Sequence, residues 1–456
     1  MQIKLFYISF TFMNAYVHRI LETVKQRNHS EPIFVQAVYE VLSALEPVII
    51  KNPEYEAFNL LERICEPERQ IIFRITWQND QGEILVNRGF RTQFNSTLGP
   101  YKGGLRFHPT VNMGIIKFLA FEQVFKNSLT GLPLGGAKGG SDFNPKGKSD
   151  NEIMSFCQAF MTELHTHIGC NTDVPAGDIG VGNREIGYML GQYKKLVNRY
   201  EPAVLTGKHT GWGGSFARKE ATGYGCVYFA ENMLKVEGKS LQGMQCIVSG
   251  SGNVAIYTIE KLQQLGAIVI ACSDSQGVVI DKEGLNLDII KEIKEIRKGR
   301  AKEYLIEKPS ANYQDKSNPW IIPCDAAFPC ATQNELNLED AKCLYKNGCK
   351  IICEGANMPL TIDAIHFIEK NGMLFGPAKA ANAGGVSVSA LEMQQNINRE
   401  HWTFVEVDKR LKDIMDSIFH DCQKKADEFG SPKNYAQGAN IASFQRIANT
   451  TISFGV

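Results

Sequence analysis

Apolar positions recur with a helical period through FVQAVYEVLSALEPVI, between about Pro32 and Lys51, and EYEAFNLLERIC continues as a second amphipathic helix. The period then changes. IIFRITWQND and GEILVNRGFRTQFN alternate apolar with polar residues, and the break at Asp80 and Gly82 predicts a hairpin of two strands. This mixed region extends to about residue 205. From about Gly243, QCIVSG reads as a strand, SGNVAIYTIEKLQQLG as a tight turn entering a helix, and AIVIACSDS as a second strand. WIIPCDAAFP and KIICEGANM are further short apolar runs ending in turn-forming residues. That succession predicts an α/β fold with a doubly wound, Rossmann-type sheet, whose ligands sit at the carboxyl ends of the strands. After about residue 380 the chain turns helical again, in VSALEMQQNINREHW and VDKRLKDIMDSIFHDCQKKADEFG.

A chain of 456 residues is too long for one ordinary core and implies two large domains. Its formal net charge is zero, and no strip of interleaved aromatic and basic residues is visible, so a nucleic-acid partner is not expected. The 12 cysteines read as free thiols in a reducing compartment, because a chain of this size needs no disulfide framework. No metal site is expected. Cys324, Cys330, Cys343, Cys349 and Cys353 lack C-x-x-C pairs, and His165 and His167 stand two apart, off a common helix face. The start, MQIKLFYISFTFM, faintly resembles a signal sequence but has no clear cleavage site and is too short to span a bilayer. With no other apolar run near twenty residues, a membrane is not expected; a chain beginning at Met13 reads as an ordinary cytoplasmic start.

The strongest local signal is G-S-G-N-V-A, a G-x-G-x-x-A dinucleotide fingerprint. Gly250 permits the tight turn, Gly252 leaves space for a pyrophosphate, and Ala255 lets helix and strand approach. The helix start directs free N–H groups at the phosphate. Asp274 lies 22 residues after Gly252, near the end of the second strand, where it suits ribose hydroxyls and NAD. Ser273 and Ser275 flank it and suit a 2′-phosphate instead, so spacing leaves NAD and NADP open.

Between Gly99 and Gly140 glycines alternate with lysines. GPYKGGLRFHP places Lys102 and Arg106 in what reads as a tight glycine-rich loop, KFLAFEQVFKNSL is an amphipathic helix carrying Lys117 and Lys126, and LPLGGAKGGSDFNP presents Lys138 between glycine pairs. A single such lysine is ordinarily a solvated one. Several together suit a carboxylated substrate, and a buried lysine near other cations has a lowered pKa. NTDVPAGDIGVGNREIGYM supplies Asp173 and Asp178, for which an exposed loop is the ordinary reading. In GGSFARKEATGYG, Arg218 and Thr222 stand four apart, as on one face of a helix.

Taken together, GPYKGGLRFHP, KFLAFEQVFKNSLTGLPLGGAKGGSDF, NTDVPAGDIGVG, GGSFARKEATGYG, CATQNEL, CEGANMP and KAANAGGVSVSALEMQQN closely resemble the hexameric glutamate dehydrogenases, especially the small-subunit microbial type that uses NADP. The resemblance covers Met13 to Val456. It implies a substrate-binding and oligomerisation domain over 13–205, a dinucleotide-binding domain over 206–380, and C-terminal helices over 381–456 that bridge back to the first domain. Residues 1–12 extend beyond the start expected of the family. By resemblance Lys138 polarises the 2-oxo group and Asp178 transfers protons. Lys126, Gln123 and the Gly103 backbone hold the α-carboxylate, with Asn382 bordering the pocket, and Lys102 and Ser389 grip the distal carboxylate. Arg218 and Thr222 approach the nicotinamide, Asn253 belongs to the phosphate turn, and Lys294 with Arg297 and Arg300 matches a basic cluster that receives the extra phosphate, so the family pattern favours NADP. The implied reaction is reversible reductive amination of 2-oxoglutarate with ammonium to L-glutamate, through an iminium, in a cytoplasmic homohexamer. The alternatives are an NAD-dependent glutamate dehydrogenase, another amino-acid dehydrogenase of the superfamily, or an inert nucleotide-binding homologue. KHTGWGG, around Trp212, departs from the more usual sequence before the GGS segment.

Overall fold

The hairpin read around Asp80 and Gly82 forms between β1 (Arg69–Gln78) and β2 (Ile84–Asn95), paired antiparallel from Gln78 opposite Ile84 to Arg69 opposite Gln93. Gly82 makes the turn at φ +81°, a conformation that favours glycine. The structure is a computed structural model that describes residues 14–455; the extension at 1–12 lies outside the described residues. Two units result: one of residues 14–128, 133–205 and 440–455, the other of residues 129–132 and 206–439.

In the first unit, β3 (Tyr101–Phe107), β4 (Gly136–Ser141) and β5 (Asp173–Gly177) complete a five-stranded sheet in the order β1-β2-β4-β3-β5. β4 runs antiparallel to β2, whereas β3 is parallel to both β4 and β5. The expectation of glycine-rich loops is corrected here. GPYKGGLRFHP and LPLGGAKGG form buried strands, and NTDVPAGDIG enters the sheet as β5, with Asp173 fully buried. Glycine is poor in strands on propensity, but these backbones approach too closely for anything else: a Cβ on Gly103 would sit 1.6 Å from the Ala137 carbonyl oxygen.

Helices α1 (Ala15–Arg27), α2 (Pro32–Lys51), α3 (Met113–Leu129), α4 (Asp150–Leu164) and α5 (Asn183–Val197) belong to this unit. Helix α2 is long and apolar enough to cross a membrane. Its Phe34, Val38, Leu42 and Leu45 are nonetheless fully buried, and the Phe34 ring meets Phe121 edge-on at 5.7 Å, as in a core helix. Helix α4 starts at a Ser149–Glu152 capping box and packs Phe156 and Phe160 against Phe107 and Phe143.

The second unit holds β6 (Gln245–Val248), β7 (Ile268–Ser273), β8 (Gly277–Ile280), β9 (Asn312–Asp315), β10 (Ala326–Phe328), β11 (Ile351–Cys353) and β12 (Leu374–Gly376). Their order is β12-β11-β10-β6-β7-β8-β9; the first five are parallel, and β8 pairs antiparallel with both β7 and β9. The doubly wound sheet is therefore present, with α6 (Ala221–Val236) and α7 (Asn253–Gln264) among its helices. Helices α8 (Gly384–Asn398) and α9 (Phe404–Glu428) pack on α6 within the same unit. The last helix, α10 (Tyr435–Phe454), places Tyr435 against Phe229 and Phe419, and belongs to the first unit from Asn440 onward.

Candidate active site

Side chains alternate along a strand, so Lys102, Gly104 and Arg106 of β3 share one face. Leu105 pairs with Gly139 of β4 and with Gly177 of β5, which brings Lys138 and Asp178 in beside that face from either side. Gly104 is the notch between them. A Cβ there would lie 2.9 Å from Asp178 Cβ and 3.3 Å from Lys138 Nζ. In the notch Lys138 Nζ stands 2.9 Å from Asp178 Oδ2, and Arg106 Nε donates to the same oxygen at 3.0 Å.

Burial and these neighbours set the ionisation. Burial pushes the Asp178 carboxyl up, but the charges of Lys138 and Arg106 more than offset it and hold the group at about 2. Burial pushes the Lys138 amine down, Arg106 and Arg91 add to that, and Asp178 opposes it; the net displacement is downward. Proton donor and acceptor thus stand within hydrogen-bond distance, each displaced from its ordinary range.

Beneath this pair lies an ion pair with no exposure on either side. Arg91 of β2 donates through Nη2 and Nε to Asp173 of β5, and its Nη1 reaches the Gly103 carbonyl at 3.1 Å. Gln93 Nε2 adds a bond of 3.0 Å to Asp173. Lys102, 1% exposed, donates to the Val174 carbonyl at 3.0 Å. On α3, Gln123 donates to Asn127 at 2.7 Å, and Asn127 in turn donates to the Lys102 carbonyl at 3.0 Å; the part-buried Lys126 lies between them in sequence. Lys117 of that helix is structural, bonded to Asn28 and paired with Glu31 at 3.1 Å. Arg106, placed by its sequence only in a glycine-rich loop, and Arg91, which its sequence did not single out, are the further groups that the structure brings to the two aspartates. The signal for Arg106 was available: on a strand, unlike a loop, it shares a face with Lys102.

In the second unit the fingerprint forms the turn from β6 into α7. Gly250 has φ +83°, its N–H donates to Ser273 Oγ at 2.8 Å, and Ala255 is fully buried. Gly252 caps α7, and a Cβ on it would meet nothing within 4 Å. The protein itself does not require glycine there, whereas a pyrophosphate lying against the backbone would, so these residues fit a dinucleotide. Asn253 opens α7 and turns its amide to the Lys219 carbonyl.

Beyond the end of β7, backbone N–H groups of Ala301 and Gln276 donate to the Asp274 carboxylate at 2.8 and 2.9 Å, and Lys294 stands 3.8 Å away. Arg300 Nη1 donates to Ser275 Oγ at 3.1 Å, whereas Arg297 turns to Glu292 and Glu307. Asp274 is therefore committed to the protein's own amides, with Arg300 and Ser275 beside it.

Helix α6 begins at Ala221, so Arg218 precedes it instead of sharing a helical face with Thr222. The two still converge: a Cβ on Gly385 would meet Thr222 Oγ1 at 2.6 Å and Arg218 Nη1 at 3.6 Å. Asn382 donates to the Ala356 carbonyl and to Asn357, and its own Oδ1 is buried without a partner. Ser389 is buried on α8. One turn on, Glu392 pairs with Lys208 at 2.5 Å and accepts the N–H of Gly207. Gln395 and Asn396 bind Ser215 and the Gly213 carbonyl, so α8 fastens the segment around Trp212.

Both units have counterparts among known proteins. The family described as Glutamate/Leucine/Phenylalanine/Valine dehydrogenase matches residues 213–455, and the Glu/Leu/Phe/Val dehydrogenase dimerisation domain matches residues 67–195. The chain is 57% identical over 448 residues to the NADP-specific glutamate dehydrogenase of Helicobacter pylori, covering 97% of this chain and 100% of that protein. It is 53% identical over 439 residues to the NADP-specific glutamate dehydrogenase of Escherichia coli, covering 96% and 98% respectively. A solved structure of Plasmodium falciparum glutamate dehydrogenase 2 matches with a TM-score of 0.94 at 54% identity, covering 100% of both chains. With matches across both units, and a lysine–carboxylate pair in one and a dinucleotide turn in the other, the chain belongs to the Glutamate/Leucine/Phenylalanine/Valine dehydrogenase family.

Proposed function

We propose that the chain is an NADP-dependent glutamate dehydrogenase, catalysing reversible reductive amination of 2-oxoglutarate with ammonium to L-glutamate. The observation that carries this reading is the contact of 2.9 Å between Lys138 and Asp178 inside a glycine-lined, cationic sheet face. Arg91, Lys102, Arg106 and Lys138 outnumber Asp173 and Asp178 in this cluster, and a buried excess of positive charge favours a dicarboxylate over an apolar oxo acid. Lys102 takes the distal carboxylate and Lys126 the α-carboxylate, leaving the 2-oxo group at Lys138.

The ionisation of the pair assigns the proton traffic. In its protonated form Lys138 polarises the substrate oxygen, while Asp178, held at about 2, is an acceptor. As ammonia adds to C2, Asp178 accepts a proton from the nitrogen and Lys138 protonates the former carbonyl oxygen, giving the carbinolamine; Asp178 then returns its proton to that hydroxyl, loss of water leaves the iminium, and Lys138 regains its proton from solvent. The dinucleotide supplies the hydride that converts the iminium to L-glutamate. The protein contributes orientation, charge and the proton path.

The engagement of Asp274 with backbone amides, and the presence of Arg300, Ser275 and Lys294 around it, support a 2′-phosphate over free ribose hydroxyls. A homohexamer is the assembly we propose. Ile72, Ile84 and Val86 of the hairpin are 54%, 72% and 61% exposed, a patch that suits contact with another copy. We place the enzyme in the cytoplasm, where its 12 free thiols stay reduced.

Initial rates with 2-oxoglutarate, ammonium and NADPH test the reading, with NADH and branched-chain oxo acids as comparisons. Oxidation that needs both ammonium and 2-oxoglutarate, and runs much faster with NADPH, is expected. Preference for NADH returns Asp274 to the ribose; activity only with an apolar oxo acid overturns the role of Lys102.

A further inference from the structure

Two cations meet one oxygen of Asp178, and the proton transfers proposed above use only one of them. Arg106 and Lys138 both approach Oδ2, at 3.0 and 2.9 Å, from adjacent parallel strands. They differ in what they can do. Lys138 is an amine that can lose its proton; Arg106 is a guanidinium that does not, and its planar fork fixes direction as well as charge. If Lys138 were the only counterion, each loss of its proton would strip Asp178 of its partner in a buried site, and the carboxylate would take up the proton or swing away.

We propose that Arg106 is a positioning residue that anchors Asp178 from β3, so that Asp178 stays in place as a carboxylate while Lys138 exchanges its proton with the substrate. The proposal rests on the catalytic roles given above to Lys138 and Asp178. Arg106 of β3 and Arg91 of β2 both act on the pair; Arg91 is matched by Asp173 of β5, whereas Arg106 meets Asp178 itself. Arg106 is thus the permanent cation in direct contact with Asp178. The local backbone is built for it. Gly104 keeps the space between strand and carboxylate clear, and Gly180, at φ +74°, folds the chain after Asp178 back so closely that a Cβ would stand 2.2 Å from the Phe107 carbonyl oxygen. That return carries Asp178 past Arg106.

Removing the cation moves both partners the same way, because Arg106 favours the ionised carboxylate and disfavours the ionised amine. The test uses the full chain with Arg106→Gln, Arg106→Met and Arg106→Lys. The rate of 2-oxoglutarate amination is followed from about pH 6 to about pH 10, and the rate at which an acylating reagent labels Lys138 is followed by peptide mass spectrometry over the same range. In Arg106→Gln, the basic limb of the pH profile and the labelling midpoint should move to higher pH by about one unit. Arg106→Lys should return them towards wild type at reduced kcat. Folded Arg106→Gln and Arg106→Met proteins whose basic limb and labelling midpoint stay at wild-type positions, whatever their loss of rate, would overturn the proposal and leave Arg106 a structural residue. The labelling arm needs no turnover: a wild-type protein that does not aminate 2-oxoglutarate defeats the reading above, while an unmoved Lys138 midpoint defeats this one.

Discussion

At the scale of single residues the site depends on one absent side chain. Gly104 makes room for the approach of Lys138 to Asp178, and a methyl group there would fall 2.9 Å from Asp178 Cβ and 3.0 Å from the Gly177 carbonyl. Gly104→Ala should therefore separate the pair while leaving both ionisable groups in the chain. Displacements of this size cost roughly a hundredfold in rate, so kcat should fall by about that factor, measured with saturating substrates on protein whose circular dichroism is unchanged. The resemblance named Lys138 and Asp178, which the structure brings together, and named Lys102 and Lys126 beside them. The contacts of Arg106 and Arg91 with the two aspartates were not legible, because they depend on which strand lies next to which. That adjacency comes from pairings between residues far apart in sequence, and no local pattern carries it.

Among elements, the contrast between the two sheets shows where pattern reading succeeds. The β1–β2 hairpin announces itself through alternation and the Asp80–Gly82 break, and the β6–α7–β7 unit through its fingerprint. Strands β3 and β4 read as loops because glycine carries no hydrophobic signal; their extended form is imposed by neighbours that leave no room for a Cβ. The turn into α7 is the opposite case, with room to spare at Gly252. Gly252→Ala should shift the melting temperature by about 2 °C or less, since a poorer cap costs little in a chain of this length. The same change should raise the KM for NADPH roughly tenfold, the cost of about 1.4 kcal/mol of lost phosphate contact. Arg300→Ala should raise the KM for NADPH while leaving that for NADH nearly unchanged, in initial-rate assays with both cofactors.

Over the whole molecule, stability and assembly respond to groups outside the Lys138–Asp178 pair. Glu354 accepts N–H bonds from Ala378 and Leu360, and burial, which outweighs them, pushes its carboxyl up to about 8. A carboxyl raised in the folded state contributes stability that is complete below its ordinary pKa of about 4.5 and is lost as the pH rises through about 8. Melting temperatures should therefore decline from about pH 6 to about pH 9, and Glu354→Gln should remove most of that decline. Charging the exposed hairpin face tests assembly: Ile84→Glu with Val86→Glu should yield smaller species in sedimentation velocity. The glycines, finally, divide into two histories. A library screened only for folding would keep Gly103, whose replacement drives a methyl into the Ala137 carbonyl, yet would let Gly252 drift, since nothing in the polypeptide objects to a larger residue there. Persistence of Gly252 under selection is thus a record of the ligand, and a thermostability campaign run without NADPH will erase function at that position unnoticed.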